Sequence, residues 1–166
     1  MDATADELAG VVDLFGGLTH DELERALAEA AYRADGQSVD DTALEAAIEA
    51  ALESFALVRY DPARKSDATA DADGEALYVA GPTAFPSVPE SAEDVPHILD
   101  VERRRLDRTM LGEAARDRFV AAADEAVAAG DDARCRTLLD VSYDLESWAP
   151  VDLTDERTRL EDALEE

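Results

Sequence analysis

Two short stretches of positive charge contain the residues of this sequence that are best suited to binding a charged partner. Arg103, Arg104 and Arg108 fall in an arginine-rich segment, and guanidinium forks bind carboxylates well and tolerate salt better than ammonium groups do. We expect them to dock an acidic partner or the acidic first half of the same chain, with docking inside the chain favoured. Ion pairs four residues apart on one helix, Asp100 with Arg104 and Arg103 with Asp107, are the alternative.

The second basic stretch consists of Arg59, Arg64 and Lys65, and Lys65 is the only lysine of the chain. Cations at the tip of a hairpin are suited to contacts with the phosphates of DNA. Aspartates surround these cations, among them Asp61 and Asp67. We therefore treat contacts with the DNA backbone as the alternative use of this stretch.

The sequence contains no recognisable catalytic or metal-binding motif. His20 and His97 are each isolated from metal-ligand spacings, and Cys135 lies in a predicted helix, where a buried structural thiol is expected. The acidic stretch 71–74 lacks the first and last ligands of a calcium loop. Glycine-rich phosphate loops and nucleophile motifs are also missing. We expect no enzyme activity, no resident metal and no cofactor.

Capping signals and apolar periodicity predict three helices in the first half. Thr4 with Glu7, and Thr19 with Glu22, form capping boxes at the starts of the first two helices. The third helix is predicted over 41–55 with an aspartate cap at residue 40 or 41. The predicted buried faces repeat at helical spacing; they consist of Leu8, Val11, Val12 and Phe15, then Leu23, Ala26, Leu27 and Ala30, then Leu44, Ala47, Ile48, Ala51, Leu52 and Phe55.

Two strands and a second helical half complete the prediction. Alternation of β-branched and aromatic residues over 56–60 and 76–80 predicts a hairpin, with Leu57 on one face and Val58 and Tyr60 on the other. A proline-rich connector follows, and 98–110, 113–129, 133–145 and a last segment that Thr154 caps are predicted to be helical. The expected fold is α+β and mostly α, with domains 1–88 and 89–166 packed together.

Composition narrows the class of protein. The chain of 166 residues has 41 acidic and 15 basic residues, a net charge of −26 and a hydrophobic fraction of 46%. Such a chain folds, but its surface repels itself until salt screens the charges, and at 1 M salt the screening length is only about 3 Å. Its start has no targeting features and no apolar run reaches membrane length. We expect a cytoplasmic protein without a membrane partner.

The order of three helices and a hairpin resembles the winged helix-turn-helix domain. The resemblance implies a third helix that enters the major groove of DNA and a hairpin that lies against the backbone. The outward positions of that helix are Thr42, Glu45, Ala46, Glu49 and Glu53. Carboxylates repel phosphates and do not suit most base contacts. DNA binding is therefore possible for this fold but disfavoured for this helix.

The chain also resembles an uncharacterised haloarchaeal protein family with a winged-helix-like first half. The acidic, lysine-poor and alanine-rich composition carries this resemblance, together with residues 14–19 (LFGGLT), 53–60 (ESFALVRY), 81–86 (GPTAFP) and 139–145 (LDVSYDL). We predict a non-enzymatic, cytoplasmic interaction or regulatory protein with an unknown protein partner. A DNA-binding winged-helix transcriptional regulator is the alternative, and a homodimer stays open.

The charge predicts that stability depends on salt. Transfer from about 2 M KCl to dilute buffer should partly unfold the protein, because unscreened repulsion among carboxylates destabilises the compact state. Thermal unfolding followed by circular dichroism at both salt concentrations measures the effect. An unchanged melting temperature would contradict the assignment to a high-salt environment.

Overall fold

Local capping signals decide where most helices of this protein begin. The computed structural model describes residues 4–35, 40–61, 75–85 and 103–165. Arg64, Lys65, His97 and the loop 71–74 lie outside these residues. By its contacts the chain divides into two compact units, Met1–Leu106 and Asp107–Glu166. The described residues form six helices and one antiparallel sheet of two strands, which confirms an α+β, mostly helical fold.

The first unit contains α1 (Ala5–Phe15), α2 (His20–Asp35), α3 (Asp41–Glu53), β1 (Leu57–Tyr60) and β2 (Leu77–Ala80). Both predicted capping boxes are present. Thr4 Oγ1 accepts a hydrogen bond from the Glu7 N–H at 3.1 Å. The Thr19 N–H donates to Glu22 Oε1 at 2.9 Å, while the Glu22 N–H donates to Thr19 Oγ1 at 3.3 Å. Side chains of the first turn thus satisfy N–H groups that have no partner inside the helix.

A left-handed glycine ends α1 and turns the chain toward α2. Gly16 has φ 77° and its N–H donates to the Asp13 carbonyl, the geometry that glycine adopts without a Cβ penalty. A Cβ at this position would lie 2.0 Å from the carbonyl oxygen of Arg104. The turn therefore requires glycine for its backbone conformation and also for the close approach of another segment.

The third helix begins where the sequence predicts but ends earlier. Asp40 caps it by accepting from the Thr42 N–H at 3.3 Å, and α3 ends at Glu53 rather than at Phe55. Phe55 has φ 67° and is only 1% exposed. A left-handed conformation costs a non-glycine residue about 1–2 kcal/mol, and burial of the ring offsets that cost. Phe55 is therefore a buried residue of the turn into β1.

The two strands pair as the predicted hairpin, and a residue between α1 and α2 extends the pairing. Leu57 lies opposite Ala80, and Arg59 opposite Tyr78. Leu18 exchanges two backbone hydrogen bonds with Tyr78, at 2.8 and 3.1 Å. The predicted division of β1 into two faces was incomplete, because Leu57, Val58 and Tyr60 are all buried and only Arg59 is exposed.

The core of the first unit forms around α1, whose apolar face packs against α2, α3 and the hairpin. Alanines and leucines supply most of it, as the composition indicates. Its members are Leu8, Ala9, Val11, Val12, Phe15, Leu18, Leu23, Ala26, Leu27, Ala30, Leu44, Ile48, Ala51, Ala56 and Leu57.

The second unit contains α4 (Arg108–Ala129), α5 (Asp132–Trp148) and α6 (Thr154–Glu165). Asp107 caps α4 by accepting from the Thr109 N–H at 2.8 Å. The three helices bury Leu111, Ala115, Phe119, Ala122, Ala123, Ala126, Cys135, Leu138, Val141, Leu145, Leu153 and Leu160. None of the helices in the described ranges combines the length and the apolar character needed to cross a bilayer.

Two predictions about the sequence after residue 98 were wrong. The predicted helix over 98–110 is wrong for residues 103–107, which are not helical. Asp107 is the cap of the helix that begins at Arg108. The predicted pair of Arg103 and Asp107 therefore lacks helical geometry, and Asp100 lies outside the described residues. Thr154 is the first residue of α6 and not its cap, since Asp152 accepts from the Thr154 N–H at 3.0 Å.

Replacing Gly16 with alanine should destabilise the protein more than replacing Gly130. Both glycines have positive φ, and at Gly130 a Cβ would meet nothing within 4 Å. We expect G130A to cost about 1 kcal/mol for backbone strain, and G16A to cost a further ~1–3 kcal/mol for overpacking against Arg104. Denaturant unfolding of both variants in high salt measures the two losses. Equal losses would contradict a close approach of Arg104 to Gly16.

Candidate functional site

The exposed face of α3 carries carboxylates and no cation. Glu45, Glu49 and Glu53 are exposed, together with Thr42 and Ala46, while Leu44, Ile48 and Ala51 are buried on the opposite side. This confirms the predicted orientation of the helix. A face of this kind repels phosphate and attracts cationic groups.

Of the basic stretch Arg59, Arg64 and Lys65, the structure describes Arg59. It is exposed on β1 and borders a cleft of about 220 Å³ that His20, Asp21, Glu75 and Tyr78 also line. Burial raises the pKa of the Tyr78 phenol; the Glu45 carboxylate adds to this effect and the Arg59 guanidinium opposes it. The cation of Arg59 therefore faces acidic groups of its own unit. Arg64 and Lys65 lie outside the described residues.

His20 lies between two carboxylates, one on its own helix and one on α3. Its Nε2 is hydrogen-bonded to Glu45 Oε1, and its Nδ1 is 3.9 Å from Glu24 Oε2. The ring also makes an edge contact with Tyr78, with 6.2 Å between the ring centroids. The interpretation of His20 as an isolated surface or structural residue therefore missed its polar neighbours.

Glu24 and Asp41 form a second contact between α2 and α3. A hydrogen bond with the Asp41 carboxyl raises the pKa of Glu24, and burial and the charge of Asp41 act in the same direction. One ligand atom from each of His20, Asp21 and Glu24 lies within 4.8 Å of the others. The sequence does contain a signal for this arrangement, because 20 and 24, and also 41 and 45, are four residues apart on one helix face.

Arg104 forms a half-buried ion pair with Glu22 inside the first unit. Its Nη1 lies 2.6 Å from Glu22 Oε1 and its Nη2 3.1 Å from Oε2, and Nη1 also donates to the Gly17 carbonyl at 2.9 Å. The Arg104 N–H donates to the Phe15 carbonyl at 2.7 Å. The exposed fractions of the two side chains are 11% and 18%. Such a forked, partly desolvated pair binds more strongly than a single contact at the surface.

The pKa of Glu22 reflects this environment. Burial opposes ionisation of Glu22, but hydrogen bonds from Arg104 and from the Thr19 N–H outweigh it, so that its pKa is lowered. Glu22 therefore carries its charge while it serves both the capping box and the ion pair. The sequence indicated the cap, because it is local; it also led us to expect Arg104 to dock on the acidic first half of the chain, but it did not identify Glu22, 82 positions away, as the partner.

The other predicted docking arginines lie in different surroundings. Arg103 is exposed and donates to the carbonyls of Asp13 and Leu14 at 3.2 and 3.3 Å. These carbonyls belong to the last turn of α1, where the helix dipole favours a cation. Arg108 starts α4 in the second unit, and its guanidinium lies 4.3 Å from the ring centroid of Trp148, a cation–π contact.

The second unit also uses its arginines internally. Arg157 Nη1 lies 2.7 Å from Glu146 Oε1, and the hydrogen bond from Arg157 lowers the pKa of Glu146, with help from the Leu153 N–H. The Arg157 guanidinium also covers the ring of Tyr143, 4.6 Å from its centroid. Arg116 pairs with Glu156 at 2.8 Å. These contacts join α6 to the two preceding helices.

Cys135 is buried beside a groove of about 530 Å³. Burial raises the pKa of its thiol, and the charges of Asp132 and Asp131 act in the same direction. A raised pKa lowers the thiolate fraction on which nucleophilic reactivity depends. The geometry therefore agrees with the interpretation of Cys135 as a structural thiol.

A family model matches residues 6–165 of the chain, and its description is "Family of unknown function (DUF7109)". Because the match covers nearly the whole chain, the protein belongs to that family. No curated protein and no solved structure matches the chain.

Replacing Arg104 with alanine should destabilise the first unit by about 1–3 kcal/mol, because it leaves the half-buried Glu22 carboxylate without its ion pair. R105A is the matched control, since Arg105 is the exposed neighbour in the same segment. Denaturant unfolding in high salt measures both variants. A loss in R105A as large as that in R104A would contradict the assignment.

The difference between wild type and R104A should also depend on pH. Because the folded pKa of Glu22 is lower than its ordinary value of 4.5, the stabilisation is present above that value and is lost as the pH falls through the folded pKa. The two unfolding curves should therefore converge in acid.

Proposed function

For this member of the DUF7109 family, we propose a cytoplasmic, non-enzymatic interaction or regulatory role in which the first unit presents α3 to another protein. The observation that carries the proposal is the exposed face of α3, on which Glu45, Glu49 and Glu53 stand without a cation on the same helix. The partner surface is basic, and arginine is its preferred residue, because a guanidinium binds carboxylates in a fork and remains effective in salt.

The arrangement of the first unit supports a winged-helix-like scaffold. Three helices precede an antiparallel hairpin, and α1 lies at the centre of their shared core. The two backbone hydrogen bonds of Leu18 with Tyr78 tie the hairpin to the segment between α1 and α2. In a scaffold of this kind α3 is the element that faces outward and is available to a partner.

Electrostatics disfavours DNA as that partner. Affinity for DNA depends largely on Lys and Arg that neutralise phosphates, and base readout uses mostly cationic and amide side chains in the major groove. Among the described residues of the hairpin, Arg59 is the cation that could contact phosphates. Asp21 and Glu75 border the same cleft as Arg59. A protein partner is free of this difficulty, because it can supply the positive charge itself.

Glu49 and Glu53 form the part of the α3 face that is best placed for docking. Both are exposed, and they lie one and two turns beyond Glu45 along the helix. Ala46 and Ala50, also exposed, have small side chains that allow a partner to approach the helix closely. The net charge of −26 supports a high-salt cytoplasm as the setting.

Removing the charges of Glu49 and Glu53 should weaken the binding of the basic partner. The full chain is cross-linked to its partner in native cytoplasm at about 2 M KCl. We expect E49Q/E53Q to retain about tenfold less of a basic partner than wild type does, because the charge-assisted contacts are lost. The matched control is E113Q/E125Q, which neutralises two exposed glutamates of α4. Equal retention by both double variants would contradict docking on α3.

Mobility-shift assays in about 2 M KCl test the alternative, a DNA-binding transcriptional regulator. Sequence-specific binding of DNA at sub-micromolar concentration would overturn the proposal. The alternative assigns the backbone contacts to Arg59, Arg64 and Lys65, so a variant with alanine at all three positions should then lose such binding. Binding that survives in this variant would contradict the role of the basic hairpin as well.

A further inference from the structure

Residues 103–106 form a short strap that lies on the corner between α1 and α2. The strap belongs to no helix or strand, and its exposure alternates: Arg103 and Arg105 are exposed, while Arg104 and Leu106 are partly buried. This period of two is typical of an extended chain, in which alternate residues share a side. Arg104 and Leu106 therefore both face the corner, and Arg105 between them faces away.

The corner offers the strap a set of hydrogen-bond acceptors. The guanidinium of Arg104 donates to both carboxylate oxygens of Glu22 and to the Gly17 carbonyl. The backbone N–H of Arg104 donates to the carbonyl of Phe15, the last residue of α1. The last carbonyls of a helix have no partner within it, and the helix dipole is negative at that end. The corner is therefore suited to bind one guanidinium and one backbone N–H together.

Two glycines give the corner a shape that fits a passing backbone and an apolar side chain. A Cβ at Gly16 would lie 2.0 Å from the Arg104 carbonyl oxygen. A Cβ at Gly17 would lie 3.2 Å from Leu106 Cδ1 and 3.4 Å from Val79 Cγ1. The corner thus contacts three features of its ligand, which are the arginine, the backbone beside it and the apolar residue two positions later.

The apolar core of the first unit contains no residue of the strap. Its members all lie between Leu8 and Leu57. The contacts of the strap consist of hydrogen bonds, one ion pair and one partly buried leucine. Water can satisfy the carbonyls at a helix end when no other donor is present. Release of the strap therefore costs stability but removes no member of the core.

We propose that the corner is a recognition site for an arginine-containing segment and that the strap is its internal, autoinhibitory ligand. The partner is a protein with an extended Arg-x-Leu segment, which displaces residues 103–106 and takes their place. The middle position is unrestricted because Arg105 is exposed. Exchange of a segment for one of the same chemistry costs little, because the new contacts match those that are lost.

Attachment to the chain gives the strap an advantage over a separate segment. A tethered ligand competes with an effective concentration on the order of 1 mM. The apparent affinity for a partner is reduced by the fraction of molecules in which the strap is docked. The strap therefore sets a threshold of partner concentration or affinity, below which the corner stays closed.

This site is separate from the docking face that Glu49 and Glu53 form on α3. It uses the turn between α1 and α2, and it reads an arginine together with its backbone and a following leucine. The two proposals therefore fail or succeed independently.

Binding of a labelled peptide to the full chain tests the proposal. The probe is a fluorescent peptide with the sequence of residues 101–107 (VERRRLD), followed by anisotropy in about 2 M KCl. The variant R103A/R104A/L106A lacks the side chains that hold the strap, and it should bind the peptide at least tenfold more tightly than wild type, whose site is filled. Equal affinity, or no binding to the folded variant at about 1 mM peptide, would overturn the proposal.

Matched changes locate the peptide on the protein. Alanine at the peptide position of Arg104 should weaken binding at least tenfold, whereas alanine at that of Arg105 should not weaken it. Adding E22Q to the variant should also weaken binding at least tenfold, although glutamine preserves the capping box. Adding E49Q/E53Q should have no effect. Loss with E49Q/E53Q but not with E22Q would place the peptide on α3 and would contradict a site at the corner.

Hydrogen exchange in the unaltered chain provides a second test that needs no variant to fold. The Arg104 N–H is protected by its bond to the Phe15 carbonyl, and the Leu18 N–H by its bond to Tyr78. About 10 mM unlabelled peptide, in excess of the effective concentration of the strap, should speed exchange of the Arg104 N–H at least twofold and leave that of Leu18 unchanged. Unchanged exchange at Arg104 would show that the strap is not displaced and would refute the proposal.

Discussion

The ion pair of Glu22 and Arg104 is the constraint on which the first unit depends. One carboxylate accepts from the Thr19 N–H at the start of α2 and from a guanidinium that arrives more than eighty positions later. The backbone of the same arginine closes over Gly16, where no side chain would fit. The start of α2 is fixed by these contacts, and with it the place of His20 beside α3. The polar cluster between α2 and α3 therefore depends on a contact that is not itself part of it.

Three arginines of the described residues connect elements inside their own unit, and this use shapes the surface. Arg104, Arg116 and Arg157 each pair with a glutamate that is largely buried. The charge of a paired arginine is neutralised by its own glutamate and does not neutralise exposed carboxylates elsewhere. The exposed face of α3 therefore remains strongly acidic. A chain with a small core of alanine and leucine thus gains side-chain contacts between its elements, while its exposed surface stays acidic.

The features that sequence reasoning predicted are local, and the features it missed join distant segments. Thr4, Thr19 and Asp40 cap helices as predicted, because a capping side chain and the backbone N–H that donates to it are at most three residues apart. The partners of His20 and Arg104 depend on how helices meet, which no periodicity describes. The arginine-rich stretch before Arg108 was predicted to be helical from its pattern, whereas Asp107 caps a helix that begins only at Arg108. The exposed face of α3 was predictable because its period is regular, whereas the end of the helix before Phe55 was not.

The position of Arg104 in the chain has a consequence for synthesis. A nascent chain that has emerged only as far as the hairpin already contains α1, α2, α3 and both strands, and can form their apolar core. It still lacks the residue that closes over Gly16 and neutralises Glu22. Until about one hundred residues have left the ribosome, Glu22 must find its compensation in water or in salt cations. The contacts of Arg104 with Glu22 and Gly16 therefore form only after synthesis has passed the three helices and the hairpin that they join.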